Sequence, residues 1–388
     1  MSGSDSKQGW NPAFVSVGFL SLLGAAYLDS IRGPLIPLFH QQFGIPYDRL
    51  AWFLTAGNIT ALFVLALLNP ALKHFGEKRT GVAVFLAIAG LGLGAPFVGD
   101  FSGLILLGIG LGGGIATIGA LCNIFALLGT PAAWRTRVLT GTHFMYGVGS
   151  FAGPLIAVAT LSWRGWPWLV GYGSLFFLGL SLLAMTKLPP LQTVSAPEDA
   201  GGRATLVKAM VIGVLAFYVV GEVMSAMWLV TYLHGTGRTT LEQASEILSQ
   251  VFLVMAITRV LCLVLIRPSW EKVVLWGSLI LPLVAHVLGR QGGLWAYPLI
   301  GCFGPFFPVF LARVSHLIPH GWRPLTVKVS FVNQGALALT NILLGYLTRV
   351  EGVGTAYLVP PIFFLGALLM LGVFFQVEAR KQDPILSS

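Results

Sequence analysis

Two carboxylates and two guanidinium groups lie where this sequence makes charge costly. Asp29 and Arg32 are three positions apart in Ala25-Ala26-Tyr27-Leu28-Asp29-Ser30-Ile31-Arg32-Gly33-Pro34-Leu35-Ile36-Pro37, inside an apolar run from Phe14 to Phe39. Glu222 and Arg259 lie in two other long apolar runs. A charge at bilayer depth costs at least about 2.5–3.5 kcal/mol, so each of these groups needs a partner or water. Three positions is one helical turn, so Asp29 and Arg32 can pair with each other, either as a self-neutralised structural unit or as part of a site. Taking a carboxylate out of water favours its protonated form, which is the chemistry of proton exchange. Asp29 and Glu222 are therefore the expected proton-coupling residues. Arg259 is expected as the partner of Glu222 or as an anchor for an anionic ligand; its position nearer one end of its run leaves direct pairing open.

The expected ligand-binding set is Arg32, Asn58, Asn123, Arg259, Asn333 and Gln334, with His143, Gln250 and Asn341 as further neutral polar groups. Interhelical hydrogen bonds in membranes average only about 0.6 kcal/mol, so several of these can be simple glue. Asn333 and Gln334 are adjacent and would project about 100° apart on a helix, so one of the two is expected to face a cavity. His143 could titrate near neutral pH, but a helix–helix hydrogen bond is the expected role. Tyr27, Tyr146, Phe217 and Trp228 could stack on a flat ligand, but packing is the expectation for each. Cys122, Cys262 and Cys302 are far apart without metal-ligand spacing and read as small packing residues.

The elements that must position these groups follow from composition. The chain has 388 residues, 56% of them hydrophobic and 10% charged, with mean hydropathy +0.83. A soluble domain carries about 25% charged residues, so an all-α polytopic membrane protein is expected. Apolar spans fall at about 12–39, 48–68, 79–98, 102–128, 137–161 and 166–187, then at 207–233, 241–266, 272–289, 293–316, 325–348 and 354–376. Between the two sets of six lies a polar stretch with Pro189, Pro190, Pro197, Glu198, Asp199, Gly201 and Gly202, read as a linker. The expected organisation is a six-helix half over 1–188, a cytoplasmic linker over 189–206 and a second six-helix half over 207–388. The short polar N-terminus lacks the layout of a cleaved leader, so the first span is expected to remain.

Sixteen Lys and Arg fall on the side of the termini and five, Arg49, Arg164, Arg238, Arg290 and Arg349, on the other. That bias places both termini in the cytoplasm and accounts for the net charge of +9 without nucleic acid. Trp163, Trp166 and Trp168 on one side, and Trp134, Trp270 and Trp322 on the other, read as interfacial belts. Echoes recur at an offset of 194, His40 with His234 and Glu77-Lys78 with Glu271-Lys272, while Asp29 and Glu222 come within one residue of it. Repeats of this kind place a binding site between the halves near mid-membrane.

Between the second and third spans stands Leu68-Asn69-Pro70-Ala71-Leu72-Lys73-His74-Phe75-Gly76-Glu77-Lys78-Arg79. The fifth span holds His143-Phe144-Met145-Tyr146-Gly147-Val148-Gly149-Ser150-Phe151-Ala152-Gly153-Pro154, with Gly149 and Gly153 on one face for close helix packing and Pro154 as a bend. With these residues the chain resembles the major facilitator superfamily over its whole length. Gly76, Lys78 and Arg79 match the family's loop after the second helix, whose usual Asp is absent here and where Glu77 replaces a common basic residue. The fifth span is similar to the family's fifth-helix motif and looks like the fucose-permease-like sugar transporter branch. That branch's acid in the first helix matches Asp29; its acid in the fourth helix has only Asn123 as a counterpart. The resemblance implies a gating role for Gly76, Lys78, Arg79, Gly149, Gly153 and Pro154. The glycines of the fourth span, Gly108, Gly110, Gly112, Gly113, Gly114 and Gly119, read as a packing face, since no phosphate-loop Lys follows them.

The expectation is a secondary active transporter of the inner membrane that moves a small polar organic solute, sugar-like by resemblance, with protons or another ion, as a monomer in the bilayer. A proton-driven efflux antiporter for amphipathic compounds and a non-transporting receptor on the same fold are the alternatives. No catalytic cluster, nucleotide motif, metal site or cofactor is read from the sequence.

Overall fold

The computed structural model describes residues 10–131, 134–189, 205–317 and 322–382. Among them there is no strand. The helices are α1 (Pro12–Ser30), α2 (Arg32–Phe43), α3 (Tyr47–Gly94), α4 (Phe101–Leu128), α5 (Arg135–Leu161), α6 (Pro167–Lys187), α7 (Thr205–Gly235), α8 (Leu241–Leu265), α9 (Glu271–Arg290), α10 (Phe306–Leu317), α11 (Trp322–Glu351), α12 (Val353–Ala356) and α13 (Val359–Gln382). A 3₁₀ segment, Leu294–Phe303, precedes α10. Ten helical stretches among the described residues are long and apolar enough to cross a bilayer. The expected linker falls almost wholly on residues 190–204, outside the described residues.

Local chemistry sets the helix ends. The Asn11 side chain accepts from the Phe14 N–H, with Pro12 in the first turn of α1, where its missing N–H costs nothing. Asp100 caps α4 in the same way, and Thr240 with Gln243 forms a reciprocal capping box on α8. Gly44, at φ 64°, ends α2 in the left-handed conformation that favours glycine.

The stretch expected as a loop after the second span is mostly helix. α3 runs 48 residues, through Pro70, and is broken at Gly76 (φ 75°, ψ 166°). A straight helix of that length would reach about 72 Å, more than twice a bilayer core, so the turn at Gly76 is what lets the chain fold back. Lys78 then donates to the carbonyls of Met185 (2.8 Å) and Leu188 (2.5 Å) and ties the turn to the C-terminal end of α6. A cation there also complements the helix dipole.

We call the end of the bundle that carries Pro12 the near face and the opposite end the far face. α1 packs on α4, α5 and α6; α3 packs on α4 and α6; α7 packs on α11 and α13; α9 packs on the 3₁₀ segment, α10 and α13. Between these sets, α2 meets α7, α3 meets α11 and α5 meets α8. Glycine sets the closest approaches: a Cβ on Gly112 would lie 2.2 Å from the Gly57 Cα, so α3 and α4 touch through backbone. At the near face Arg313 of α10 joins Glu271 of α9 (3.0 Å) and Glu378 of α13 (2.8 Å).

The tryptophan belt needs one correction. Trp163, Trp168, Trp134 and Trp270 are exposed, but Trp166 is 1% exposed and packs edge-on against Phe39, at 5.0 Å. It is a core residue that closes α6 against α2. The Trp322 side chain lies outside the described residues.

Candidate functional site

The chain reaches Asp29 in the last turn of α1, passes the single turn residue Ile31 and re-enters helix at Arg32. Pro34 lacks the N–H that a continuing helix would need, which loosens the backbone just past the acid. Arg32 folds back onto Asp29: its Nη2 pairs with Oδ1, and its Nε donates to the Asp29 carbonyl at 3.4 Å. The other carboxylate oxygen, Oδ2, accepts from the Tyr146 hydroxyl of α5 at 2.7 Å. Both oxygens of Asp29 are therefore engaged, and the guanidinium is buried.

The second pair is looser. Arg259 Nη2 of α8 stands 3.6 Å from Glu222 Oε1 of α7, and its Nε donates to the Gly304 carbonyl at 3.0 Å. Gly304 follows the 3₁₀ segment, so Arg259 pins the joint before α10. Arg259 does lie nearer the near face than Glu222, six residues from the end of α8, but its long side chain spans the difference. Tyr218, one turn before Glu222, stacks on Phe306 at 4.4 Å and donates to the Phe303 carbonyl at 3.2 Å.

The two pairs meet. A cavity of about 30 Å³ is lined by Asp29, Ser30, Tyr146 and Glu222, with Met227 and Phe252 in its apolar wall. Asp29 and Glu222 each stand 17 residues from the near-face end of their helices, about 26 Å along the axis. Tyr146 sits within electrostatic range of Arg32, Glu222 and Arg259 as well as on Asp29. A space of this size holds about one water and no organic solute. A second cavity, of about 800 Å³, opens at the far face between the end of α2 and the α7–α8 turn, lined by Gln41, Arg164, His234, Arg238 and Glu242. Gln41 Nε2 and His234 Nε2 meet across it at 2.7 Å.

The structure thus brings Asp29 and Glu222 to one cavity, each paired with a guanidinium, and leaves Arg32, Arg259, Asn58, Asn123, Asn333 and Gln334 off its lining. Asn123 lies five residues from the near-face end of α4, donates to the Gly119 carbonyl of its own helix and has a buried, unpartnered Oδ1. The amide oxygens of Asn333 and Gln334 are both buried without a hydrogen-bond partner, Asn333 being buried and Gln334 half-buried. Asn58 is half-buried on α3.

Gly149 and Gly153 lie on the α1 seam, where a Cβ would stand 2.2 Å from the Leu23 carbonyl and 2.1 Å from Ser30 Oγ, and α5 continues through the buried Pro154. Gly76 is buried at the turn, Lys78 caps α6 and Arg79 is exposed. Asn341 accepts from the buried Trp228 indole at 3.0 Å, and Tyr27 donates to the Leu169 carbonyl at 2.8 Å, so both aromatics are packing residues.

Two residues entered the site with weaker notice. Tyr146 reads in sequence as a packing aromatic, yet it precedes Gly149 and Gly153 at helical spacing and so shares the face that meets α1. His143, one turn before Tyr146, makes no helix–helix hydrogen bond among the described residues; it is exposed beside Arg259.

No known protein-family profile matches the chain, and no curated protein does. Solved structures do. A D-xylose-proton symporter superposes with TM-score 0.74 at 15% identity, covering 93% of this chain and 97% of its own. The nucleoside transporter NupG superposes with TM-score 0.72 at 14% identity, covering 94% and 99%. The fold is that of membrane transporters. It is the one that the sequence resemblance to the major facilitator superfamily implied, and at these identities the likeness concerns fold alone.

Proposed function

We propose that the protein is a secondary active transporter that moves a small polar organic solute by alternating access, coupled to protons at Asp29 and Glu222. It is a carrier rather than an enzyme. The observation that carries this reading is the shared cavity: two carboxylates nearly two hundred positions apart in sequence, each with its own guanidinium, face one small space at matched depth. Groups kept ionisable at bilayer depth mark ion and substrate pathways. No organic solute could enter a cavity of about 30 Å³, so this conformation is an occluded one and cargo enters after the halves separate.

On this reading the halves are residues 1–188 and 207–388, joined by a cytoplasmic linker over 189–206. Each crosses the membrane six times, with α3 counted as two crossings around Gly76 and α11 as one. Two features support a repeat. His40 Nδ1 contacts the carbonyl five residues on, at Ile45 (2.8 Å), and His234 Nδ1 does the same at Thr239 (3.4 Å). Asp29 and Glu222 also occupy matching depths. Arg49, Arg164, Arg238, Arg290 and Arg349 all stand at far-face helix ends, which supports a cytoplasmic near face and a cell (inner) membrane location, with the chain acting as a monomer. Arg32 and Arg259 contact cargo; Asn58, Asn123, Asn333 and Gln334 join it on opening. Gly76, Lys78 and Arg79 act at the near-face gate, and Gly149, Gly153 and Pro154 let α5 move against α1.

The test is uptake into proteoliposomes under an imposed proton gradient. Uptake should follow the gradient, collapse with an uncoupler, and lose its gradient dependence in Asp29→Asn or Glu222→Gln. Uptake that ignores the gradient in the wild type would refute coupling, and a folded protein that moves no solute would refute carriage.

A further inference from the structure

We infer that the cargo is an organic monoanion, a carboxylate with an apolar body, bound by Arg259 when Glu222 takes a proton. The inference rests on the carrier reading and narrows it. It starts from charge. Two guanidiniums, which stay protonated, face two carboxylates, which need not. With every group ionised the site is neutral, and each proton it accepts makes it more positive. A proton can drive cargo only if it changes the affinity for that cargo. A neutral solute gains little from an added positive charge, whereas an anion cancels it.

Geometry selects the pair that opens. Both oxygens of Asp29 are occupied, by Arg32 and by Tyr146. Arg259 holds Glu222 only at 3.6 Å and is anchored elsewhere, through Nε on the Gly304 carbonyl. When Glu222 is protonated, the Arg259 nitrogens that face it are released in a planar fork that suits a carboxylate. The cavity wall selects the rest of the ligand. Beyond Asp29, Ser30, Tyr146 and Glu222 it is apolar, including Val223, Ala226, Met227, Leu248, Phe252 and Phe303. A polyhydroxylated sugar would leave several hydroxyls without partners there, at a cost for each. An anion with an apolar body would not.

The titratable and charged groups facing this site are Asp29 and Arg32 at the α1–α2 junction, His143 and Tyr146 on α5, Tyr218 and Glu222 on α7, and Arg259 on α8. His143 is the competing source of pH dependence, because a charged imidazole beside Arg259 would also draw an anion.

The experiment is ligand binding by calorimetry to the purified full chain, at about pH 6 and about pH 8, where simple carboxylates stay ionised. The probes are benzoate against benzamide, butyrate against butyramide, and D-xylose. Carboxylates should bind at least about tenfold more tightly than their amides or D-xylose, and weaken with rising pH by up to about tenfold per unit, as one linked proton requires. Arg259→Gln should abolish binding. Glu222→Gln should bind carboxylates with no pH dependence, and His143→Gln should keep the wild-type dependence. Amides or D-xylose binding as tightly as carboxylates overturns the inference, as does pH dependence that disappears in His143→Gln. A folded protein that binds no carboxylate overturns it too. Proton-driven uptake of a neutral solute into vesicles overturns the anion while leaving the carrier standing; no movement of any solute overturns both.

Discussion

Gly149→Ala is a one-methyl test of how α5 holds the site. A Cβ at this position would stand 2.2 Å from the Leu23 carbonyl oxygen and 2.9 Å from the Ala26 Cβ, both on α1. Ordinary contact needs about 3.4 Å, so α1 and α5 must part by roughly 1.2 Å, and overpacking of this kind costs about 1–3 kcal/mol. The same displacement acts one turn away. Tyr146 lies on the same face of α5 and reaches Asp29 Oδ2 over 2.7 Å. Lengthened by about 1.2 Å, that contact passes out of hydrogen-bond range, and a hydrogen bond to a charged group is worth about 1.5–3 kcal/mol. The summed loss is about 2.5–6 kcal/mol. Gly119→Ala on α4 is the control, since no atom lies within 4 Å of the added methyl. Thermal denaturation in detergent should show Gly149→Ala melting well below the wild type and Gly119→Ala at or above it. Equal melting of the two alanine variants would refute the seam, and with it the claim that α1 and α5 touch through backbone at the acid.

Arg32→Gln should destabilise by about 1–3 kcal/mol, because it leaves a half-buried carboxylate with Tyr146 as its remaining partner, and adding Asp29→Asn should recover most of the loss in the same melting assay. Lys78→Met removes two hydrogen bonds to the carbonyls that end α6; it should cost about 1–3 kcal/mol and speed proteolysis just beyond Leu188. Trp166→Ala should cost about 3–5 kcal/mol as a core truncation, whereas the exposed Trp163→Ala should change melting by less than about 0.5 kcal/mol.

The charged quartet was legible because charge is scarce in this chain: one in ten residues is charged, and few of those lie within an apolar span. The α1–α2 break falls at Ile31, between the paired Asp29 and Arg32, where Pro34 has no N–H to offer the Ser30 carbonyl, while helix resumes through Gly33 and Pro34. Gly149 and Gly153 were legible from their four-residue spacing. What escaped has a common cause. Hydropathy reports where water is, not where the backbone turns, so Lys73 and His74 read as a loop while helix continued to Gly76. Trp166 read as interfacial because its neighbours in sequence are, but its neighbours in space are Phe39 and Phe43. The 3₁₀ geometry of Leu294–Phe303 and the reach of Arg259 to Glu222 depend on how helices cross, which no linear spacing encodes.

The contacts between the two sets of helices are unevenly placed, and that bears on how such a site would open. At the far face Gln41 meets His234 at 2.7 Å, Arg349 faces Asp48 at 3.8 Å, and Gly345 packs against Ala51 and Asp48. Near mid-depth Ser249 donates to the Phe151 carbonyl at 2.6 Å and Gly147 packs on Ala256. The far-face contacts close the space above Asp29 and Glu222, whereas Ser249–Phe151 lies level with the acids and Gly147–Ala256 lies on their near side. Farther toward the near face His143 and Phe144 of α5 are exposed, with Arg259 close to His143. Asp29 and Glu222 are enclosed to a like degree, at 16% and 17% side-chain exposure, each beside its own guanidinium. Exposed ion pairs are worth at most about 1 kcal/mol each, so the Arg349–Asp48 contact is a weak bar to far-face opening. The stronger bar is the packed seam of α2 on α7. An opening that separates that seam would have to expose Gly33, Met227 and Leu248 together, and it would bring the vestibule of about 800 Å³ into line with the small cavity beneath it.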